Sequence, residues 1–124
     1  MGNTIIPKIF SDYVVEYGVD GTWTYRKWSS GVSECWGKKS MSSINITGAN
    51  GYLYDATTGT EVFPSGLFTS APIVSAITHN PLGGRFLTLM IVSASANGVS
   101  FKVVSSISGS ISFDYDIHAI GRWK

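Results

Sequence analysis

The stretch of sequence that decides the fold reads Gly21-Thr-Trp-Thr-Tyr-Arg-Lys-Trp28, then Ser29-Ser30-Gly31, then Val32-Ser-Glu-Cys-Trp-Gly37. Two segments rich in aromatic residues flank a short polar segment that ends in glycine. A three-residue hairpin loop favours a residue with positive φ at its last position, and Gly31 meets that requirement. The pattern therefore predicts a β-hairpin in which residues 23–28 pair antiparallel with residues 32–37.

The register of this hairpin predicts how its side chains are distributed. Arg26 is expected opposite Glu34 as a cross-strand ion pair, and Trp28 opposite Val32. Side chains alternate along a strand, so one face carries Trp23, Tyr25 and Lys27, and the other carries Thr24, Arg26 and Trp28. Because both faces carry an aromatic residue, one face is expected to enter the core. The other is a candidate contact surface, unless a neighbouring loop covers it.

The composition extends the β prediction to the rest of the chain. Of 124 residues, 32 are Val, Ile or Thr and only 12 are Leu or Ala. Pleated strands favour the first group and helices favour the second. With 14 Gly and 18 Ser in addition, the composition indicates a β-domain with many turns. The length suits one domain with its own core.

Turn signals divide the chain into about eight short strands. Strands are expected at 13–17, at 23–28 and 32–37, weakly at 40–47, and at 52–54, 73–79, 85–95, 99–107 and 111–120, with turns at 48–51 and 55–59. Pro64 and Gly66 exclude a central strand at 63–68, which is expected to be a connection anchored by three large apolar residues. The predicted fold is all-β: an antiparallel β-sandwich of about eight short strands over residues 13–124, with a short N-terminal lead-in at 1–12. The lead-in is either an ordered arm packed on the domain, or the end of a longer rod or a partner contact.

Charge and hydropathy exclude several classes of partner. Nine Lys and Arg against eight Asp and Glu give a net charge of +1, which offers no electrostatic footprint for nucleic acid or an acidic membrane. No apolar run approaches the roughly 20 residues that a membrane span needs. The N-terminal segment lacks the pattern of a signal peptide, so synthesis and folding in a cytoplasm are expected.

Residues with catalytic chemistry are scarce and scattered. The single Cys35 excludes an internal disulfide and a cysteine-based zinc site, and it is expected to be a small core residue. The two histidines and three glutamates form no known catalytic motif. We therefore predict that the chain is not an enzyme and needs no cofactor. The alternative is a glycan-active enzyme, which needs two facing carboxyl groups; only Glu34, Asp114 and Asp116 are candidates.

One strand carries a possible metal-binding pattern. Alternation places Asp114, Asp116 and His118 on one face of the last strand. Neighbours on one face lie about 6.5–7 Å apart, so a single ion would contact two of them but not all three. The favoured interpretation is a solvated face opposite a buried aromatic face, and no metal site is predicted. An ion held between chains of a symmetric assembly is the alternative.

The chain ends in an unusual aromatic residue. Trp123 stands between two cations, Arg122 and Lys124. We expect its ring to pack over an exposed strand edge, with a cation–π contact to one of these neighbours.

Three segments together resemble a known group of proteins. They are the hairpin from Trp23 to Gly37, the segment Phe63-Pro64-Ser-Gly66-Leu-Phe68 with Pro72 after it, and the ending Ala119-Ile-Gly-Arg-Trp-Lys124. They resemble the C-terminal tip domains of tail fibres and baseplate proteins of bacteriophages and prophages, and the resemblance runs from Asp12 to Lys124. It implies a compact β-sandwich similar to H-type lectin folds, assembled as a homotrimer on the rest of a tail fibre in the virion. It also implies binding of a bacterial surface saccharide or another receptor, or a purely structural trimerisation cap.

The candidate ligand-binding residues come from loops and edges rather than from the resemblance. Loops on a rigid β scaffold are common receptor sites. The longest polar connection between strong strands begins at Asn80 and ends at Arg85, with His79 before it. Asn97 lies at a predicted hairpin turn, and Tyr52 and Tyr54 offer stacking faces. The alternative for all six is that they are ordinary turn and edge residues.

Overall fold

The computed structural model describes residues 11–79 and 86–124. In this part of the chain the structure has nine strands and no helix. In chain order they are β1 (Val14–Asp20), β2 (Trp23–Trp28), β3 (Val32–Ile46), β4 (Gly48–Asn50), β5 (Leu53–Val62), β6 (Ile73–His79), β7 (Leu87–Ala94), β8 (Gly98–Ser105) and β9 (Gly109–Arg122).

The strands form two antiparallel sheets. The five-stranded sheet has the order β1-β2-β3-β9-β6, and the four-stranded sheet has the order β4-β5-β8-β7. Their inner faces pack together, as the two layers of a sandwich do. The predicted all-β sandwich is thus confirmed, with nine strands instead of about eight. In the two described ranges, no helix is long and apolar enough to cross a membrane.

The predicted β2–β3 hairpin is present in the predicted register. Thr24 lies opposite Trp36, and Arg26 opposite Glu34. The Gly31 N–H donates to the Trp28 carbonyl at 3.0 Å, and Gly31 has a φ of 100°. Because a residue with a side chain rarely adopts this conformation, glycine at this position closes the turn.

The middle of the chain differs from the prediction. Residues 48–50, expected in a turn, form β4, and the turn itself is at Gly51 and Tyr52. Residues 55–59, also expected in a turn, lie inside β5, which continues to Val62. The register of β5 against β8 shifts between Thr57 and Thr60. A β-bulge of this kind absorbs the extra residue, so the polar segment with its glycine stays in the sheet.

The other strand predictions hold to within a few residues, apart from two that are longer. The first strand continues through Gly18 to Asp20, and β3 runs without interruption from Val32 to Ile46. Strand β6 has the predicted bounds, and the predicted β7–β8 hairpin turns at Ala96 and Asn97. Residues 1–10, most of the predicted lead-in, lie outside the described residues. Asp12, at its end, accepts hydrogen bonds from the hydroxyls of Ser29 (2.8 Å) and Ser30 (2.7 Å).

The core lies between the two sheets and under the connection after β5. Alternation in β9 buries Phe113, Tyr115 and Ile117, as the sequence predicts. The predicted anchors Phe63, Leu67 and Phe68 are buried as well. Cys35 is fully buried, and burial raises the pKa of its thiol to about 12. It is therefore a core residue, as expected.

A polar contact links the two sheets at the edge of the core. The Tyr115 hydroxyl donates to Glu61 of β5 at 2.5 Å, and Lys39 Nζ lies 3.6 Å from the same carboxylate. Only 8% of the Lys39 side chain is exposed, and its ammonium lies 4.0 Å from the centroid of the Trp23 ring. Because each buried polar group has a partner, the contact fixes how the sheets meet.

The predicted cation–π contact of Trp123 with a neighbouring cation is present. The indole N–H of Trp123 donates to the Trp28 carbonyl at 2.8 Å, so the ring covers the end of the β2–β3 hairpin. Lys124 Nζ lies 5.0 Å from the ring centroid, and Lys27 Nζ lies 5.4 Å from it. The chain end is thus packed on the sheet.

Candidate functional site

Two of the predicted site residues, His79 and Asn97, lie at different places in the fold. His79 ends β6, and the Thr78 hydroxyl donates to the Leu87 carbonyl at the start of β7 at 2.9 Å. Asn97 lies in the turn after β7, at the opposite end of that strand. Topology therefore separates His79 from Asn97. Asn80 and Arg85 lie outside the described residues.

The two tyrosines differ in their availability to a ligand. Tyr52 lies in the turn between β4 and β5 and is 99% exposed. Tyr54 is partly buried and packs against the core. Tyr54 and Leu87 both lie opposite Ser105, so the starts of β5 and β7 flank the end of β8. The structure thus brings Tyr52 and His79 to the same end of the sandwich.

The outer face of the five-stranded sheet carries rows of polar and charged side chains around one tryptophan. Directly opposite residues in a sheet share a face. Trp36 of β3 lies opposite Thr24 on one side and His118 on the other, and His118 lies opposite Ser75 of β6. The next residues on this face lie in two further rows, Lys38, Asp116 and Ile77, and then Ser40, Asp114 and His79.

The guanidinium of Arg26 stacks against the two tryptophan rings of this face, Trp28 and Trp36. The Arg26 guanidinium carbon lies 5.1 Å from the centroid of the Trp28 ring and 5.1 Å from that of Trp36. Arg26 Nη2 lies 2.6 Å from Glu34 Oε1, which is mostly buried. Because the guanidinium is fixed by this ion pair and contacts both indoles, it fixes the position of the Trp36 ring.

Trp36 forms one wall of an open groove of about 500 Å³ on this face. The groove crosses β2, β3, β9 and β6, and its other lining residues are Thr22, Thr24, Gly37, Lys38, Ser75, Ile77, Asp116, Ile117 and His118. A Cβ atom on Gly37 would lie 2.5 Å from the Thr22 carbonyl oxygen. The absence of a side chain at Gly37 therefore lets the β1–β2 turn approach and form the groove's other end.

An acidic cluster borders the groove. Asp116 Oδ2 lies 2.9 Å from His79 Nε2, and Asp116 Oδ1 lies 3.3 Å from Lys38 Nζ. The hydrogen bond from His79, followed by that from Lys38, holds the pKa of the Asp116 carboxyl below its ordinary value. Asp114 accepts a hydrogen bond from the Ser40 hydroxyl at 2.7 Å.

The candidate metal and acid residues lie as alternation predicts. Asp114, Asp116 and His118 share the outer face of β9, with Phe113, Tyr115 and Ile117 buried behind them. Among residues 11–79 and 86–124, no group of three or more His, Cys, Asp or Glu side chains is placed to hold a metal ion. Both oxygens of Asp116 already have partners within the chain.

The sequence pointed to this face but not to the groove. The alternation of the β2–β3 hairpin predicts one core face and one candidate contact face without deciding between them. The burial of Trp23 makes the face with Arg26 and Trp28 the outer one. The groove also needs Ile77 and His118, which lie on strands far along the chain. Sequence reasoning missed it because the order β3-β9-β6 follows from tertiary packing.

Comparison with solved structures gives the fold relationship. The chain is similar to an N-truncated R1-type pyocin tail fibre, with a TM-score of 0.54 and 15% identity over 98% of this chain and 96% of that one. It is also similar to a C-terminal fragment of the P. aeruginosa R1 pyocin fibre, with a TM-score of 0.53 and 17% identity over 90% of this chain and 28% of that one. No protein-family model and no curated protein sequence matches the chain. At these identities, the likeness establishes a shared β fold.

Proposed function

We propose that this chain is a receptor-binding domain of a phage-type tail fibre, which recognises a saccharide on the bacterial surface. The observation that carries the proposal is the fold likeness to an R1 pyocin tail fibre over 98% of the chain. The resemblance of the sequence segments to tail-fibre tips supports the same role independently. In this role the domain is made in the bacterial cytoplasm, works in the virion tail and joins the rest of a fibre.

The chemistry of the exposed surface supports a saccharide as the receptor. Sugars are recognised by aromatic faces together with hydroxyl, amide and carboxylate groups that exchange hydrogen bonds with sugar hydroxyls. The outer face of the five-stranded sheet combines Trp36 with such groups, and Tyr52 is exposed at the end of the sandwich. A lectin-like binding mode needs no further chemistry.

The state of the reactive groups supports binding without catalysis. The Cys35 thiol is buried and its pKa is raised to about 12, so it is a poor nucleophile at neutral pH. Asp114 and Asp116 lie on one face of a single strand, whereas glycoside hydrolysis uses carboxyl groups on either side of the scissile bond. Glu34 is engaged by Arg26.

The proposal is tested by binding of the purified chain to bacteria and glycans. Fluorescently labelled protein is applied to a panel of intact bacteria and to an array of bacterial surface glycans. Capture by one host and by a glycan of that host is the expected result, with no release of reducing sugar. Glycan cleavage would overturn the non-enzymatic part of the proposal. Absence of binding to every cell and glycan would overturn the receptor-binding part.

The second candidate function is a structural trimerisation cap that folds the fibre and has no ligand. The specific observation in its favour is the large number of exposed apolar residues on β1 and β7, which is unusual for a monomer of this size. A chain that forms a stable homotrimer yet binds no cell or glycan would be the cap. A homotrimer that also binds a host would be a trimerisation cap and a receptor-binding domain at once.

A further inference from the structure

We propose that the groove against Trp36 is a saccharide subsite, and that it takes one or two neutral pyranose units. The inference rests on the proposed function and locates the saccharide-binding site on the surface of the domain. The subsite lies on the outer face of the five-stranded sheet. Of the sequence-predicted ligand residues that the structure describes, only His79 borders it, through its contact with Asp116.

The shape of the groove suits a small saccharide. Small-molecule sites are concave, largely preformed and typically about 300–1,000 Å³ in volume. The groove has about 500 Å³ and is built on four strands rather than on loops. A site on strands holds its side chains in fixed positions, so little ordering is needed when a ligand binds.

The apolar part of the groove matches the C–H face of a pyranose ring. The Trp36 ring forms one wall, and Arg26 stacks on it from the β2 side. Ile77 of the edge strand β6 is 69% exposed and also lines the groove. The groove therefore has an aromatic side chain on β3 and an aliphatic side chain on β6, separated by the width of β9.

The polar part of the groove offers both donors and acceptors. The Thr24 hydroxyl and the His118 imidazole flank Trp36 on this face, and the Ser75 hydroxyl lies beyond His118 in the same row. In the part of the chain that the structure describes, no protein hydrogen bond engages these three side chains. Such groups match sugar hydroxyls, which both donate and accept.

The charges of the groove favour a neutral ligand. The lysine and the carboxylate that line it, Lys38 and Asp116, lie 3.3 Å apart as an ion pair. The pair leaves no net charge, so the groove has no excess cation to attract a sialic acid, a uronic acid or a phosphate. An anionic sugar would compete with Asp116 for Lys38.

The test fills the groove and leaves the core intact. Ser75 is exposed on β6 and lines the groove, so Ser75→Trp adds bulk there without removing a buried contact. Thr57→Trp adds the same side chain on the outer face of the other sheet, where Thr57 is exposed opposite Lys102. Trp36→Ala removes the platform, and Trp36→Phe keeps an aromatic ring. Ile77→Arg is a second blocking variant should Ser75→Trp not fold.

The probes are immobilised neutral oligosaccharides of glucose, galactose, mannose and N-acetylglucosamine, with their sialylated and uronic-acid counterparts. We expect the intact chain to bind a neutral probe. Ser75→Trp and Trp36→Ala should each lower the affinity for that probe at least tenfold. Trp36→Phe should lower it less, and Thr57→Trp should leave it unchanged. Thermal unfolding establishes that each variant is folded, and light scattering measures its mass in solution.

The outcomes separate this inference from the proposed function. Unchanged binding by Ser75→Trp and Trp36→Ala, with loss in Tyr52→Ala, would move the site to the loop end and overturn only the inference. Binding confined to acidic probes would overturn the ligand class. A changed oligomeric state in Ser75→Trp but not in Thr57→Trp would make a second copy of the chain the occupant. No binding to any probe or host cell would overturn both proposals.

Discussion

Gly31 ends the turn between β2 and β3 with a positive φ, and it also lies beside the chain end. A Cβ atom at this position would overlap the Arg122 guanidinium, whose Nη2 donates to the Ser30 carbonyl at 2.8 Å. Trp123 is hydrogen-bonded to the same region, since its backbone N–H donates to the Gly31 carbonyl at 2.9 Å. One glycine therefore serves both the hairpin and the docking of the last residues.

Gly31→Val is expected to lower the free energy of unfolding by more than the backbone strain alone. A β-branched residue at positive φ costs about 1–3 kcal/mol, and displacement of Arg122 adds to this cost. Urea unfolding followed by tryptophan fluorescence measures the change. Gly51→Val is the matched control, because Gly51 has a φ of 64° and no atom within 4 Å of its Cβ position. Equal losses for both variants would contradict the role given to Arg122.

Strand β5 combines an irregular register with a buried polar side chain. Its bulge lies between Thr57 and Thr60, and it turns Thr58 inward, where the side chain is buried. The Thr58 hydroxyl donates to the Phe101 carbonyl of β8 at 3.1 Å. The bulge is thus held by a hydrogen bond that a regular strand would not need.

Thr58→Val is expected to destabilise the protein by about 1–3 kcal/mol, because it keeps the shape of the side chain but removes the donor to the Phe101 carbonyl. Thr57→Val, on the exposed side of the same strand, should change stability by no more than about 0.5 kcal/mol. Chemical denaturation of both variants measures the difference. If Thr58→Val is as stable as Thr57→Val, the bulge does not depend on this bond.

The strands that were predicted well are those with both a turn signal and clean alternation. The β2–β3 and β7–β8 hairpins have a glycine or an Asn-Gly pair at the turn, and β9 alternates polar and apolar residues throughout. Residues 55–59 were predicted wrongly because Asp, Thr and Gly have turn preferences, while pairing with β8 decides their conformation. The same limit applies to the groove, since local sequence does not specify which strands become neighbours in a sheet.

At the scale of the whole molecule, the exposed apolar residues include a group on each of two opposite sides. Val15, Tyr17 and Val19 are exposed on β1, one edge of the five-stranded sheet. Met90 and Val92 are exposed on β7, next to β6 at the other edge. Two unlike patches on opposite sides suit a head-to-tail contact between copies, which forms a ring when the rotation between copies closes.

We expect the chain to form a homotrimer of about three times 13.3 kDa through this head-to-tail contact. Tyr17→Lys should disrupt one patch and Met90→Lys the other, so each variant alone should be monomeric in light scattering. A mixture of the two variants retains one intact patch on each, and it should stop at a heterodimer. Thr57→Lys serves as the control and should remain trimeric. A mass of about 13 kDa for the unmodified chain at micromolar concentration would contradict the assembly.

The position of β9 in the five-stranded sheet also sets the order in which the protein is completed during synthesis. Strand β3 pairs along its length with β9. The paired residues closest together in sequence are Ile46, at the end of β3, and Gly109, at the start of β9. At about 5–20 residues per second, the ribosome needs roughly 3–12 s to make the intervening residues. During this interval β3 presents an unpaired edge fifteen residues long, and such edges pair readily with other chains. The yield of native protein should therefore fall when translation is slowed, because the interval lengthens, and rise with chaperones that shield β3.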